Sequence, residues 1–282
     1  MNGIKFVGAM CVSVMACGVI ASPSHAQDAA VEGADSGSVT VNGSVTLASD
    51  YRFRGVSQTD GNMTVQGGLT VSHDSGLYAG AWASNLAGWG TFGGANMELD
   101  LLLGFKADLG GGAMLDTGLI WYMYPGGADD TDFAEIYAKL SGTTGPLTLT
   151  GGVQYAPKQY ALANVSNAPD SAGQTQDNLY LFADGLMAVP ETPFTVKAHI
   201  GYSDGNPGLG PNGTSVSPTG SYWDWMLGVD TSWRNLTLGV AYVDTDISDA
   251  EALRLQPNFS KGQDGSGSIA DGTVVLSLTA AF

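Results

Sequence analysis

The chain is poor in cysteine, in charge and in long apolar runs. Of its 282 residues only Cys11 and Cys17 are cysteines. Both sit near the N-terminus, so no disulfide framework holds the body of the protein. Charged residues make up 13%, about half the usual share. Lys and Arg number 10 against 27 Asp and Glu, a formal net charge of −17, and no basic tract is present. That excludes nucleic acid as a partner. The only long apolar run is Phe6–Ile20. It is too short, and too close to the N-terminus, to span a bilayer as a helix, which excludes a helical membrane protein.

What is present in excess is glycine, with 41 residues, roughly twice the usual share. Hydrophobic residues at 44% exclude a disordered composition. The run after Lys5 reads as a secretory signal, with Ser24-His25-Ala26 as the cleavage site. A signal peptide over 1–26 is therefore expected. A rival lipobox reading, Val14-Met15-Ala16-Cys17, carries a bulky Met15 where a small residue is normal. Residues 27–38 are small, polar and acidic, and read as a flexible periplasmic lead-in.

From Val39 to Phe282 the chain alternates residue by residue. Odd positions of 39–53 are almost all apolar and even positions small, polar or charged, the pattern of a strand with one oily and one wet face. Such segments recur at 39–54, 62–73, 77–86, 95–109, 113–124, 132–141, 147–156, 178–187, 194–202, 222–233, 236–245 and 272–282. Their connections alternate in length. Asp74-Ser75-Gly76, Gly110-Gly111-Gly112 and Arg234-Asn235 suit tight hairpins. The links 54–61, 87–94, 125–131, 157–177, 203–221 and 246–271 are longer. This predicts an all-β fold, a transmembrane antiparallel up-and-down barrel of about twelve strands over 39–282. Short turns would face the periplasm and long loops the exterior. The segments 77–86 and 178–187 are ambiguous, because Tyr78, Trp82, Tyr180 and Phe182 fall on the inner face.

Aromatic residues gather at strand ends. Tyr51, Phe53, Trp121, Tyr155, Tyr202, Trp223, Trp225 and Tyr242 are expected at outer ends of the apolar face, and Phe105, Phe194, Trp233 and Phe282 at inner ends. Two girdles at the headgroup layers follow. The row Val274, Leu276, Leu278, Ala280, Phe282 resembles the terminal strand signal read by the barrel-assembly machinery. That machinery is an expected partner, beside outer-membrane lipid and lipopolysaccharide.

The stretch Leu47-Ala48-Ser49-Asp50-Tyr51-Arg52-Phe53-Arg54-Gly55-Val56-Ser57-Gln58-Thr59 resembles the opening strand and loop of the TorF-type porin family, a Gly-rich group. Gly67-Gly68-Leu69, Gly76-Leu77-Tyr78-Ala79-Gly80, Trp82-Ala83-Ser84-Asn85, Glu98-Leu99-Asp100, Tyr122, Tyr124-Pro125-Gly126 and Glu135-Ile136-Tyr137 continue the likeness. The resemblance is dense over 47–140 and loose beyond. It implies an outer-membrane barrel and supplies no substrate and no functional residues.

A pore selects with inward side chains. By parity the pore-lining candidates are Arg52, Arg54, Glu98, Asp100, Lys106, Asp116, Glu135, Lys139, Lys197, His199, Asp224 and Asp230, with Asp50 and Asp108 beside them. A three-residue turn at 110–112 sets Lys106 opposite Asp116, and a structural ion pair is expected there. Acids outnumber bases in this set, which predicts a weak cation preference. Arg52 and Arg54 read either as constriction residues or as mouth charges paired to acids.

Catalytic and metal readings are weak. His73 lies at a turn, and no Ser-bearing motif partners it for lipid hydrolysis. Asp244-Thr245-Asp246-Ile247-Ser248-Asp249 begins like a calcium loop, but Asp249 stands where Gly is needed and Leu255 where Glu is. The acidic loops, including Asp129, Asp130 and Asp132, read as solvated surface, with loose divalent-cation binding as the sharper alternative. No cofactor and no catalysis are expected. The function predicted is a channel for small hydrophilic solutes in the outer membrane of a Gram-negative bacterium. The alternative is a closed or plugged barrel acting as a receptor or envelope structural protein, and inward Tyr78, Trp82, Tyr180 and Phe182 favour it.

Overall fold

The computed structural model describes residues 38–128, 130–164, 173–208 and 214–282. The expected leader, the lead-in up to residue 37 and Asp129 lie outside the described residues. The strands are β1 (Val39–Ala48), β2 (Arg52–Phe53), β3 (Val56–Ser57), β4 (Thr64–His73), β5 (Leu77–Asn85), β6 (Met97–Gly110) and β7 (Ala113–Met123). They continue as β8 (Phe133–Thr144), β9 (Leu147–Gln159), β10 (Gln176–Ala188), β11 (Phe194–Gly205), β12 (Ser221–Trp233), β13 (Leu236–Thr245) and β14 (Thr273–Ala281). Two single-turn helices, α1 (Ala161–Asn164) and α2 (Asp249–Ala252), lie in loops.

Twelve of these strands, β1 and β4 to β14, form one closed antiparallel barrel in which each is paired to its sequence neighbours and β1 closes on β14. The closing register sets Leu47 opposite Leu278 and Thr46 opposite Thr279, whose hydroxyls meet at 2.8 Å. Closure leaves no barrel strand with an unpaired edge, the condition for spanning a bilayer with strands.

Alternation sorts the side chains to two faces, as the pleat requires. On β6, Met97, Leu101, Leu103 and Phe105 are exposed on the outside while Glu98, Asp100 and Leu102 are buried inside. The same apolar exterior runs around the barrel through Leu69, Leu119, Ile136, Leu149, Ile200, Leu227, Val240 and Leu276. Trp121, Trp223 and Tyr242 are exposed near the long-loop rim, and Phe105, Phe194, Trp233 and Phe282 near the short-turn rim.

Inside, bulky rings are accommodated by glycines. Tyr78, Gly104, Gly118 and Tyr137 form one row of paired residues across β5 to β8. The two tyrosine hydroxyls meet over the glycines. A Cβ on Gly104 would lie 2.7 Å from Tyr137 Oη. Tyr180 and Phe182 likewise face inward and are buried, as are Tyr78 and Trp82, which resolves the parity of β5 and β10.

One expected strand is corrected. Segment 39–54 is not a single strand: β1 ends at Ala48, and the chain turns into the barrel mouth. The cause is local. Asp50 accepts hydrogen bonds from Ser57 Oγ at 2.6 Å and Thr59 Oγ1 at 2.9 Å, and pairs with Arg52 Nε at 2.5 Å. Arg54 and Gly55 take positive φ, 48° and 81°, reversing the chain between β2 and β3. Tyr51 and Phe53, expected in the outer girdle, are instead buried at 0% and 7% exposure.

Candidate functional site

The long-loop end of the lumen is filled by this inward hairpin, residues 50–59, which acts as a plug. Tyr51 meets Trp82 edge-on at 5.3 Å between ring centroids, and Phe53 meets Tyr122 edge-on at 6.0 Å. Both join an apolar cluster with Leu86, Phe92, Leu102, Ile120 and Phe133. Above them a second cluster packs Val56 and Trp89 against Tyr222, Ile247, Leu255, Phe259 and Ile269. The loop 246–272 thereby covers the plug, and Ser57 N donates to Ile269 O at 3.0 Å.

Polar side chains tie the plug to the wall. Arg54 Nη2 donates to Glu135 Oε1 at 2.7 Å and Arg54 Nη1 to Asn178 Oδ1 at 2.9 Å. Both side chains of the Arg54–Glu135 pair are fully buried. The guanidinium carbon lies 4.2 Å from the centre of the Tyr180 ring. Tyr222 Oη donates to Arg54 O at 2.9 Å and Tyr51 Oη to Glu98 Oε1 at 3.1 Å. Arg52 Nη1 donates to the carbonyls of Gly55, at 2.9 Å, and Ile269, at 2.8 Å. Arg52 and Arg54 are thus carried by the plug rather than by a barrel strand.

Beneath the plug the wall carries charges of both signs. Lys139 Nζ lies 3.2 Å from Asp116 Oδ2, and Lys197 Nζ 2.7 Å from Asp230 Oδ1. Lys106 pairs with Asp116 in register, as the turn spacing predicts. Asp116 forms an ion pair with Lys139 on its other side, and Lys106 Nζ stands 5.1 Å over the Tyr78 ring. His199 lies between two aspartates, with Nδ1 2.6 Å from Asp184 Oδ1 and Nε2 3.2 Å from Asp224 Oδ1. Tyr180 Oη reaches the same Nε2 at 2.7 Å.

Parity thus places Glu98, Asp100, Lys106, Asp116, Glu135, Lys139, Lys197, His199, Asp224 and Asp230 on the inner face. Sequence reading missed Asp184, buried at 6%. The signal was present: Asp184 shares parity with Tyr180 and Phe182, whose bulk made that face ambiguous. It also missed Asn178, Gln154 and Tyr222, uncharged residues whose role appears only with the plug. Lys106, Gly118, Gly152 and His199 are partly accessible, whereas Asp116, Lys139, Asp184, Lys197 and Asp230 are buried. Among the described residues no group of three His, Cys, Asp or Glu is placed to hold a metal ion.

The barrel is similar to solved porins. The KdgM porin in complex with disordered oligogalacturonate aligns at TM-score 0.50 with 6% identity, over 86% of this chain and 98% of that one. An anion-selective porin from Comamonas acidovorans aligns at TM-score 0.39 with 16% identity, over 88% and 100%. Outer-membrane expressed OmpT of Vibrio cholerae aligns at 0.38 with 10% identity, over 90% and 100%. The KdgM likeness is one of fold alone. No curated protein matches the chain. A family model described as "Bacterial protein of unknown function (Gcw_chp)" matches residues 32–282, and the chain belongs to that family.

Proposed function

We propose that this chain is a porin-like channel of the outer membrane, closed at its outward mouth by its own plug and weakly cation-preferring when open. The observation that carries this reading is the inner face. It bears fixed charges with acids in excess, and Lys106 and His199 among them keep partial solvent access, which suits a lumen that ions enter. The apolar exterior, with aromatic residues near both rims, supports a bilayer setting. The likeness of residues 47–140 to the TorF-type porin family supports the same reading. Acids exceed bases along the inner face, with Asp184 adding to the excess. The polyanionic oligogalacturonate of the KdgM porin is therefore a poor model for the solute, and small neutral or cationic solutes fit better.

Reversal potentials in planar bilayers under a salt gradient test the selectivity. The expected sign favours the cation; a sign favouring chloride overturns the preference. A second reading, a permanently closed barrel acting as receptor or envelope structural protein, is favoured by the packed apolar clusters around Phe53 and Trp89. Absence of current at any voltage, even with the plug removed, would establish it.

A further inference from the structure

Three carboxylates and one cation meet where the plug touches the wall. Glu98 and Asp100 are two residues apart on β6 and face the lumen together, at 2% and 1% exposure. Glu135 on β8 is fully buried and lies within electrostatic reach of Asp100, as does Glu98. The facing cation is Arg54, and it is committed to Glu135. Glu98 receives the Tyr51 hydroxyl, and Glu135 receives Tyr122 Oη at 3.0 Å. Among the described residues no donor group reaches either oxygen of Asp100, whose carboxyl lies within hydrogen-bond reach of the Glu98 carboxyl alone.

The other elements packed here bring no further positive charge. On β5 the residue paired with Asp100 is Trp82, and on β7 it is Tyr122. Tyr124, after β7, lies within electrostatic reach of Glu98, Asp100 and Glu135, and of Asp132 in its own loop. Arg52 is occupied by Asp50 and the carbonyls of Gly55, Ile269 and Asp271. Two adjacent buried carboxylates without a partner cation are strongly unfavourable when both are ionised. A proton between them removes one charge and supplies the donor that two carboxylates lack.

We propose that the plug is a proton-dependent latch: Glu98 and Asp100 hold one proton between them while Tyr51 is seated, and its loss to solvent drives the plug out. The carboxylic acid O–H breaks, the proton leaves to water, and the two carboxylates repel beneath Tyr51. The inference rests on the plug being displaceable, as the channel reading requires. The His199, Asp184 and Asp224 group reaches the plug through Tyr180, whose hydroxyl meets His199 and Asp224 and whose ring lies against Arg54.

Thiol labelling reads the plug without reading current. In a chain carrying Cys11→Ser and Cys17→Ser, Val56→Cys places a thiol in the plug, where Val56 is 2% exposed. Met63→Cys, at a site 70% exposed, gives the reference rate in a parallel chain, so that the ratio cancels thiol ionisation. From neutral to alkaline pH the ratio should rise by up to about tenfold per pH unit, the limit for one proton lost on opening. Asp100→Asn and Glu98→Gln, each leaving one neutral member, should both hold the ratio low throughout. A flat ratio in the parent chain overturns the latch. So does an unchanged rise in both amide variants, or labelling of both already at neutral pH. A silent bilayer recording beside a pH-dependent ratio would instead count against the channel and leave the latch standing.

Discussion

Arg54 shows how much one buried side chain holds. It has a fully buried acidic partner in Glu135, an aromatic face beneath it and its own carbonyl capped by Tyr222. Breaking a buried pair on one side leaves an uncompensated charge, at a cost of about 3–5 kcal/mol. Arg54→Met should therefore lower the denaturant midpoint of the refolded barrel and raise its conductance together; an unchanged midpoint would show that the plug does not depend on this pair. Gly104 is the opposite case, a residue needed for what it lacks. Gly104→Ala puts a methyl 2.7 Å from Tyr137 Oη, and overpacking of this kind costs about 1–3 kcal/mol, read as a lower thermal midpoint. Parity alone made most inward charges legible, because a strand has two faces and only one was apolar. It did not reveal Asp184, whose strand carries aromatic rings on the inner face. Nor did it reveal the burial of Tyr51 and Phe53, since an apolar residue in a plug and one facing lipid look alike in sequence.

At the level of elements, hairpins were the most legible part. Short turns such as 74–76 and 234–235 join strands whose ends fall within a few residues of those expected from alternation, because turn chemistry and period agree there. The loops were legible only as loops. That 50–59 folds inward depends on Asp50 meeting Ser57 and Thr59, contacts that periodicity does not encode. Loop 246–272 has its own local order. Ser248 caps α2, and Glu251 accepts from Ser248 N at 2.9 Å and Ser248 Oγ at 2.6 Å. These bonds favour the carboxylate, so Glu251 titrates below the usual glutamate range. A lowered acid contributes its full stabilisation above its ordinary range and loses it as pH falls through the lowered value. Amide protection at 249–252 should accordingly drop on acidification, and Glu251→Gln should remove the pH dependence of that drop. Equal acid sensitivity in the amide variant would assign it to another group.

The whole molecule is a barrel closed twice: laterally by β1 on β14 and axially by the plug under its covering loop. The lateral closure was predictable from strand number and alternation. The axial closure was not, because loop length permits a plug without requiring one. It also brings the two functional readings together: a plugged barrel and a channel are the same object if the plug can leave. Single-channel recording of the refolded protein beside a variant with residues 50–59 replaced by a Gly/Ser linker of equal length tests this most directly. The parent should show small, infrequent, cation-preferring openings, and the variant steady, larger currents of the same selectivity. Equal conductance in the two would show that the plug does not close the pore, and silence in both would show that there is no pore.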